Sequence, residues 1–243
     1  MLPVSSVLFA LVLLSGCGET STELPVDGRD IIGVQNTTPG VYAGRVMDDY
    51  LVNARVWLDL NGDNRYNAGP VTVEVEPGTE VTVVDGEPTA LTGAGGRFQL
   101  DTSSLIRNPD ESPDIDPRHY ALIAVVVPNL TEEETRAGNV VQTRAYMMSA
   151  PPGVQNVSPL STLLRNRILL GGTLGNTGSS LSIPGLENIS PGADYVMAGD
   201  TRARAYARAL ARFKASQFPD TAGEQLVDGT ETVLDGPSLN LLR

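Results

Sequence analysis

Oxygen-bearing side chains recur at a regular spacing in residues 59–67, whose sequence is DLNGDNRYN. Counting Asp59 as the first position, Asn61, Asp63 and Asn67 stand third, fifth and ninth, and the carbonyl of Arg65 stands seventh. Ca²⁺ takes about six to eight oxygen ligands, and alternate residues of a tight loop converge their oxygens on one point. The spacing therefore predicts a calcium site formed by these five residues.

The loop differs from an EF-hand at two positions. Asn64 stands where glycine normally makes the sharp turn, and Pro70 stands where a bidentate glutamate is expected. Water, or an acid from elsewhere such as Asp85, Glu87 or Asp101, would have to complete the coordination. A second interpretation stays open, in which the loop is a solvated turn whose Asp and Asn side chains cap the backbone.

The side chains that most catalytic sites require are scarce in this sequence. The only histidine is His119, and the only cysteine, Cys17, is not expected to be a free thiol in the mature protein, so neither a Cys–His pair nor a histidine-rich zinc site can be assembled. The adjacent carboxylates of Asp48 and Asp49 leave a glycosidase open as an alternative, because the sequence does not give their separation in space. We expect a protein without enzymatic activity.

The N-terminus has the character of an export signal. The apolar run 7–14 is too short to span a hydrocarbon layer of ~30 Å, and it suits a secretory signal. The sequence LSGC that ends at Cys17 resembles the lipobox of bacterial lipoproteins. The resemblance implies a signal peptide over 1–16 and palmitate-type lipid on Cys17. Gly18 is not the aspartate associated with inner-membrane retention, which favours the outer membrane, facing the periplasm or the cell surface.

Composition divides the rest of the chain into four segments. Residues 17–39 are rich in Thr, Pro, Gly and acids and predict a flexible tether, whereas 219–243 form an acidic tail. Between them, 40–150 read as a β domain and 151–218 as a helical portion. The net charge of -12 argues against nucleic acid as a partner, and the acid-rich N-terminal half is where cations should collect.

Short runs of β-branched residues bounded by Gly, Pro, Asn and Asp predict strands from residue 41 onward. Valines alternate with Thr and Glu in 71–75 and 81–84, which predicts a half-exposed hairpin. The continuous apolar run 120–127 predicts a central strand. Further strands are predicted at 41–46, 54–58, 97–100 and 140–148.

Two helices are predicted after the strands. Ser158 and Pro159 supply an N-cap and a first helical position for a helix over 159–170, and Asp200 caps a second helix over 201–216. In the second helix Ala203, Tyr206, Ala207, Leu210 and Phe213 share the face predicted to be buried.

Basic side chains form a stripe along the same helix, at Arg204, Arg208 and Arg212. Such a stripe could meet anionic lipid or the acidic N-terminal half of the same chain. It could also be an ordinary solvated face.

Three short motifs are similar to those of known bacterial surface modules. They are GRV at 44–46, ARVWLDLNGD at 54–63 and TGAGGRF at 92–98. Residues 41–127 resemble the B-type repeats of serine-aspartate adhesins and the related carboxypeptidase-regulatory-like domains. The resemblance implies an antiparallel β-sandwich, prealbumin-like or immunoglobulin-like, that binds calcium and is not catalytic.

These features favour a membrane-anchored lipoprotein that acts as a calcium-stabilised binding or structural module for protein or polysaccharide. The alternative is an accessory lipoprotein of an envelope assembly or transport machine, in which the helical portion docks an envelope protein. The two interpretations share the lipid anchor at Cys17 and differ in the partner.

Overall fold

The structure is a computed structural model that describes residues 40–106, 114–170 and 189–217. The predicted signal peptide at 1–16, lipid site at Cys17, tether at 17–39 and tail at 219–243 lie outside the described residues and stay predictions. Within the described ranges, no helix combines the length and apolar character needed to cross a membrane.

The described chain is mainly β, with two α-helices near its end. The strands are β1 Val41–Val46, β2 Tyr50–Val52, β3 Arg55–Asp59, β4 Val71–Glu76, β5 Thr79–Val83, β6 Thr89–Leu91, β7 Arg97–Asp101, β8 Ala121–Val126, β9 Glu132–Thr135, β10 Gly138–Val141, β11 Tyr146–Ala150 and β12 Asn156–Val157. The helices are α1 Pro159–Leu169 and α2 Thr201–Gln217. This confirms the predicted fold class, a β-sandwich followed by a small helical portion.

Two sheets enclose the main core. The first has the order β11-β8-β3-β6 and is antiparallel throughout, and the second has the order β12-β1-β7. Tyr42 and Leu100 from the second sheet pack in one buried cluster with Leu58 and Leu122 from the first. Every residue of β8 is buried, as its continuous apolar run predicts.

The β11-β8-β3-β6 sheet is covered on its other face as well. Trp57, Ile123 and Val125 form a second buried cluster with Tyr66, which lies in the connection after β3. Side chains alternate between faces along a strand, so β3 sends Val56 and Leu58 to one core and Trp57 to the other.

The β4–β5 hairpin adds a half-exposed layer, as predicted. Val71, Val73, Val81 and Val83 point into the main core, whereas the Thr and Glu side chains between them are exposed. Alternation with a period of two separates the two sets onto opposite faces.

The helical portion is built onto the sandwich. β12 lies beyond the predicted boundary at residue 150 and pairs in parallel with β1, so the sheet continues into that portion. The side chain of Ser158 caps α1 by accepting from Ser161 N at 3.1 Å, and the Ser161 hydroxyl donates to the carbonyl of Ser149 in β11 at 2.8 Å. The predicted cap at the start of α1 is therefore confirmed.

The prediction for the buried face of α2 is partly wrong. Asp200 caps this helix as predicted, by accepting from the backbone of Ala203 at 2.9 Å. The buried residues are the alanines at 203, 207, 211 and 215, whereas Tyr206 and Phe213 are 37% and 64% exposed. A stripe of alanines lets the helix backbone approach the sandwich closely, which larger side chains on that face would prevent.

Candidate functional site

The 59–67 loop begins at the last residue of β3 and leaves the sheet at one end of the sandwich. Asp59 is buried, and one of its carboxylate oxygens accepts from Asn64 N at 3.3 Å. Asn64 has φ of 63°, so it supplies the left-handed conformation for which an EF-hand uses glycine at this position. The departure at Asn64 is thus compatible with a sharp turn.

Three of the predicted ligands meet at one carboxylate. Asp63 Oδ2 accepts from the side-chain amides of Asn61 at 3.2 Å and Asn67 at 3.4 Å. Asp63 Oδ1 accepts from Arg65 N at 2.7 Å, and Asn61 Oδ1 accepts from Asp63 N at 3.1 Å. These bonds are those of an Asx-capped turn, and they bring the side chains of Asn61, Asp63 and Asn67 together, with both asparagine amide groups donating to Asp63.

Glu87 holds the two ends of this loop together. Its carboxylate accepts from Leu60 N at 2.8 Å and from Asn67 N at 3.0 Å. Burial, assisted by the nearby charges of Asp59 and Asp63, raises the pKa of Glu87 to about 8, against the lowering effect of the two backbone hydrogen bonds. Of the three acids considered from the sequence, Glu87 is the one that reaches the loop.

The other two acids lie elsewhere. Asp101 is an exposed residue of β7 whose carboxylate accepts from Ser103 N at 2.9 Å. Asp85 is an exposed residue that follows β5. Glu87 differs from these two acids in being buried, and a buried carboxylate can accept hydrogen bonds from the backbone of a loop from inside the fold.

Arg165 of α1 contacts the loop, and the sequence did not predict this contact. Its guanidinium lies 3.4 Å from Asp59 Oδ2 and also donates to the side-chain oxygen of Asn64. Burial raises the pKa of Asp59, and the Arg165 charge opposes that rise. One oxygen of Asp59 therefore faces Arg165 of α1, and the other accepts from the backbone of the loop.

No histidine, cysteine or acidic side chains gather in a group of three or more suited to a metal ion within the described ranges. A calcium site at the loop would consequently depend on amide and carbonyl oxygens as much as on carboxylates.

A cleft of about 510 Å³ borders the loop. Its walls are the exposed side of the β4–β5 hairpin, with Glu74 and Glu80, and the last turns of α1, with Ile168 and Leu169. Asp59, Arg165 and residues 119–121 and 151–152 complete the lining. The lining of the cleft combines carboxylates, the ion pair between Asp59 and Arg165, and apolar side chains.

The Asp48–Asp49 pair is buried beneath α2. Asp49 forms ion pairs with Arg204 and Arg208, and Arg208 also lies 3.3 Å from Glu133 Oε1. Of the options for the arginine stripe, contact with the acidic half of the same chain is confirmed for Arg204 and Arg208. Arg212 is exposed.

Asp48 precedes Asp49 and, unlike it, forms no ion pair with a described residue. Burial raises its pKa to about 7, the charge of Glu133 adds to the rise, and Arg208 opposes it. Tyr146 donates to one of its oxygens at 3.5 Å, and the other oxygen has no hydrogen-bond partner in the described part of the chain. The pair is therefore a feature of the interface between the sandwich and α2.

Comparison with known protein families, with curated proteins and with solved structures finds no match to this chain.

Proposed function

We propose that this protein is a lipid-anchored, calcium-stabilised and non-catalytic module that binds protein or polysaccharide at the outer membrane. The observation that carries this proposal is the 59–67 loop, in which Asn61, Asp63 and Asn67 converge beside a cleft of about 510 Å³. Calcium bound there would stiffen one wall of the cleft.

The donor set fits a weak calcium site. Asn61, Asp63 and Asn67 offer side-chain oxygens, and the carbonyl of Arg65 adds another at the seventh position. Asp59 would contribute only by giving up part of its contact with Arg165, whose positive charge opposes a second cation nearby. Few carboxylates and a neighbouring guanidinium both lower affinity, which suits the roughly 10⁻⁴–10⁻³ M range of extracellular calcium modules.

The calcium proposal is tested by thermal unfolding of residues 18–243, which include every element described above. At free calcium ten times the dissociation constant, the free energy of unfolding should rise by about 1.4 kcal/mol. Magnesium should have a much smaller effect because it requires tighter octahedral geometry. Asp63→Ala should remove most of the calcium effect, whereas Asp85→Ala, which removes an exposed carboxylate outside the loop, should retain it. Equal responses of the wild type and Asp63→Ala would favour the solvated turn.

The binding role is tested at the cleft. Leu169 is 68% exposed on its apolar wall, so Leu169→Arg would change the wall without removing buried packing. Proteins and polysaccharides recovered from solubilised envelope by the wild type should be lost with Leu169→Arg. Leu130→Arg, at an exposed leucine that does not line the cleft, is the matched control. Equal recovery by both variants would contradict binding at this cleft.

The lipid anchor is supported by the LSGC motif that ends at the only cysteine of the chain. Cells that express the full chain should incorporate a palmitate analogue into the protein, and Cys17→Ser should abolish both the label and the membrane fractionation. Retention of label by Cys17→Ser would refute the anchor and leave the calcium and cleft proposals unaffected.

A further inference from the structure

Helix α2 uses only part of its surface to attach to the sandwich. Its alanines at 203, 207, 211 and 215 are buried, and Arg204 and Arg208 on the flank form ion pairs with Asp49. Among the described residues, none covers the opposite side of the helix.

That opposite side is the outward face of α2, made of Arg202, Tyr206, Ala209, Arg212 and Phe213. Residues separated by four, seven and eleven positions fall on the same side of an α-helix, which aligns Arg202, Tyr206, Ala209 and Phe213, and Arg212 borders them. All five are exposed, and Phe213 is 64% exposed. The face spans roughly 16 Å along the helix axis.

The chemistry of this face contrasts with the rest of the protein. Helix α2 has the sequence TRARAYARALARFKASQ and contains no acidic residue, although the chain as a whole has a net charge of -12. Exposed aromatic side chains beside arginines are typical of helix faces that lie in the headgroup region of a membrane. Anionic headgroups attract the arginines, and the aromatic rings enter the boundary with the acyl chains.

We propose that the outward face of α2 is the surface on which the anchored protein lies against an anionic phospholipid membrane. The proposal rests on the lipid anchor at Cys17, because a strongly acidic protein in free solution is repelled by such a membrane. The anchor holds the protein at the membrane at a high effective concentration, so that the protein can change only its orientation relative to the lipid. The orientation that turns the acid-free face to the lipid is then favoured by charge.

The proposal is tested with residues 17–243 coupled through the thiol of Cys17 to maleimide lipids in vesicles. Because the chain has one cysteine, the attachment point is unique, and the result does not depend on whether cells lipidate it. Hydroxyl-radical footprinting is compared on phosphatidylcholine vesicles with and without phosphatidylglycerol. Tyr206 and Phe213 should be protected from oxidation only when phosphatidylglycerol is present, whereas the exposed Leu130 should react equally on both.

A charge variant separates this interaction from unspecific crowding. Arg202→Gln with Arg212→Gln should abolish the protection, because each basic side chain near an anionic surface changes the docking equilibrium by about fivefold. Arg97→Gln with Arg136→Gln removes the same charge from two exposed positions outside α2 and should leave the protection intact.

Three results would overturn the proposal. One is equal oxidation of the two aromatic side chains on both kinds of vesicle. Another is equal loss of protection in the two double variants. The third is protection already present in the uncoupled protein, which would show that another part of the chain covers the face.

Discussion

Asp48→Asn should make the stability of this protein less dependent on pH. The Asp48 carboxylate is buried under α2, and one of its oxygens has no hydrogen-bond partner among the described residues. Burial, reinforced by the charge of Glu133, raises its pKa to about 7, and Arg208 offsets only part of that rise. Ionisation of Asp48 is therefore unfavourable in the folded protein and easy in the unfolded chain.

The sign and size follow from linkage. Between the ordinary pKa of 3.8 and about 7, the unfolded chain loses the Asp48 proton while the folded protein keeps it. The free energy of unfolding therefore falls as pH rises, by up to about 1.4 kcal/mol per pH unit. From pH 5 to pH 8 the loss from this one group is roughly 2.5 kcal/mol, most of it incurred below about pH 7.

Denaturant unfolding followed by fluorescence measures this loss directly, because Trp57 is the only tryptophan and is fully buried. The difference in stability between Asp48→Asn and the wild type should grow in favour of the variant by roughly 2.5 kcal/mol from pH 5 to pH 8. Any effect of the amide on stability that does not depend on pH cancels when the two pH values are compared. Asp85→Asn, at an exposed position, is the control for removing one acidic group. If the wild type and Asp48→Asn lose stability in parallel over this range, the argument is wrong.

Two further substitutions probe the contacts that join the elements. Arg204→Gln should lower the free energy of unfolding, measured by denaturant titration, by about 1–3 kcal/mol, because it leaves buried Asp49 with one cation fewer. Adding Asp49→Asn should recover part of this loss, and the absence of any recovery would argue against the ion pair. Gly44→Ala should lower the free energy of unfolding by about 3 kcal/mol or more, because a Cβ at this position would lie 2.0 Å from the carbonyl oxygen of Gln155 and push β1 away from β12. A change in melting temperature under about 2 °C would contradict this close approach.

The sequence predicted the elements whose signals are local. The alternating valines of β4 and β5, the apolar run of β8 and the cap at Ser158 each lie within a few residues of one another, so periodicity and cap chemistry identified them. The oxygen spacing of the 59–67 loop was also local, and the structure does bring Asn61, Asp63 and Asn67 together.

The features that the sequence did not predict depend on distant partners. β9 is Glu132–Thr135, and three consecutive glutamates give no strand signal. It becomes a strand because β2 and β10 pair with it on either side, and because Arg208 and the backbone of Gly95 accommodate Glu133 and Glu134. The face of α2 that was predicted to be buried included Tyr206 and Phe213, whereas the buried residues are the alanines, which depends on how closely the helix packs.

Buried ion pairs join the helices to the acid-rich part of the sandwich. The N-terminal half is rich in acids, and two of them, Asp49 and Asp59, are buried where the helices dock. Arg165 of α1 pairs with Asp59, and Arg204 of α2 pairs with Asp49. A buried carboxylate without a cation is strongly unfavourable, so the sandwich with these two acids is completed by the helices that follow it. The β domain and the helical portion are therefore expected to unfold together, although their sequence patterns are distinct.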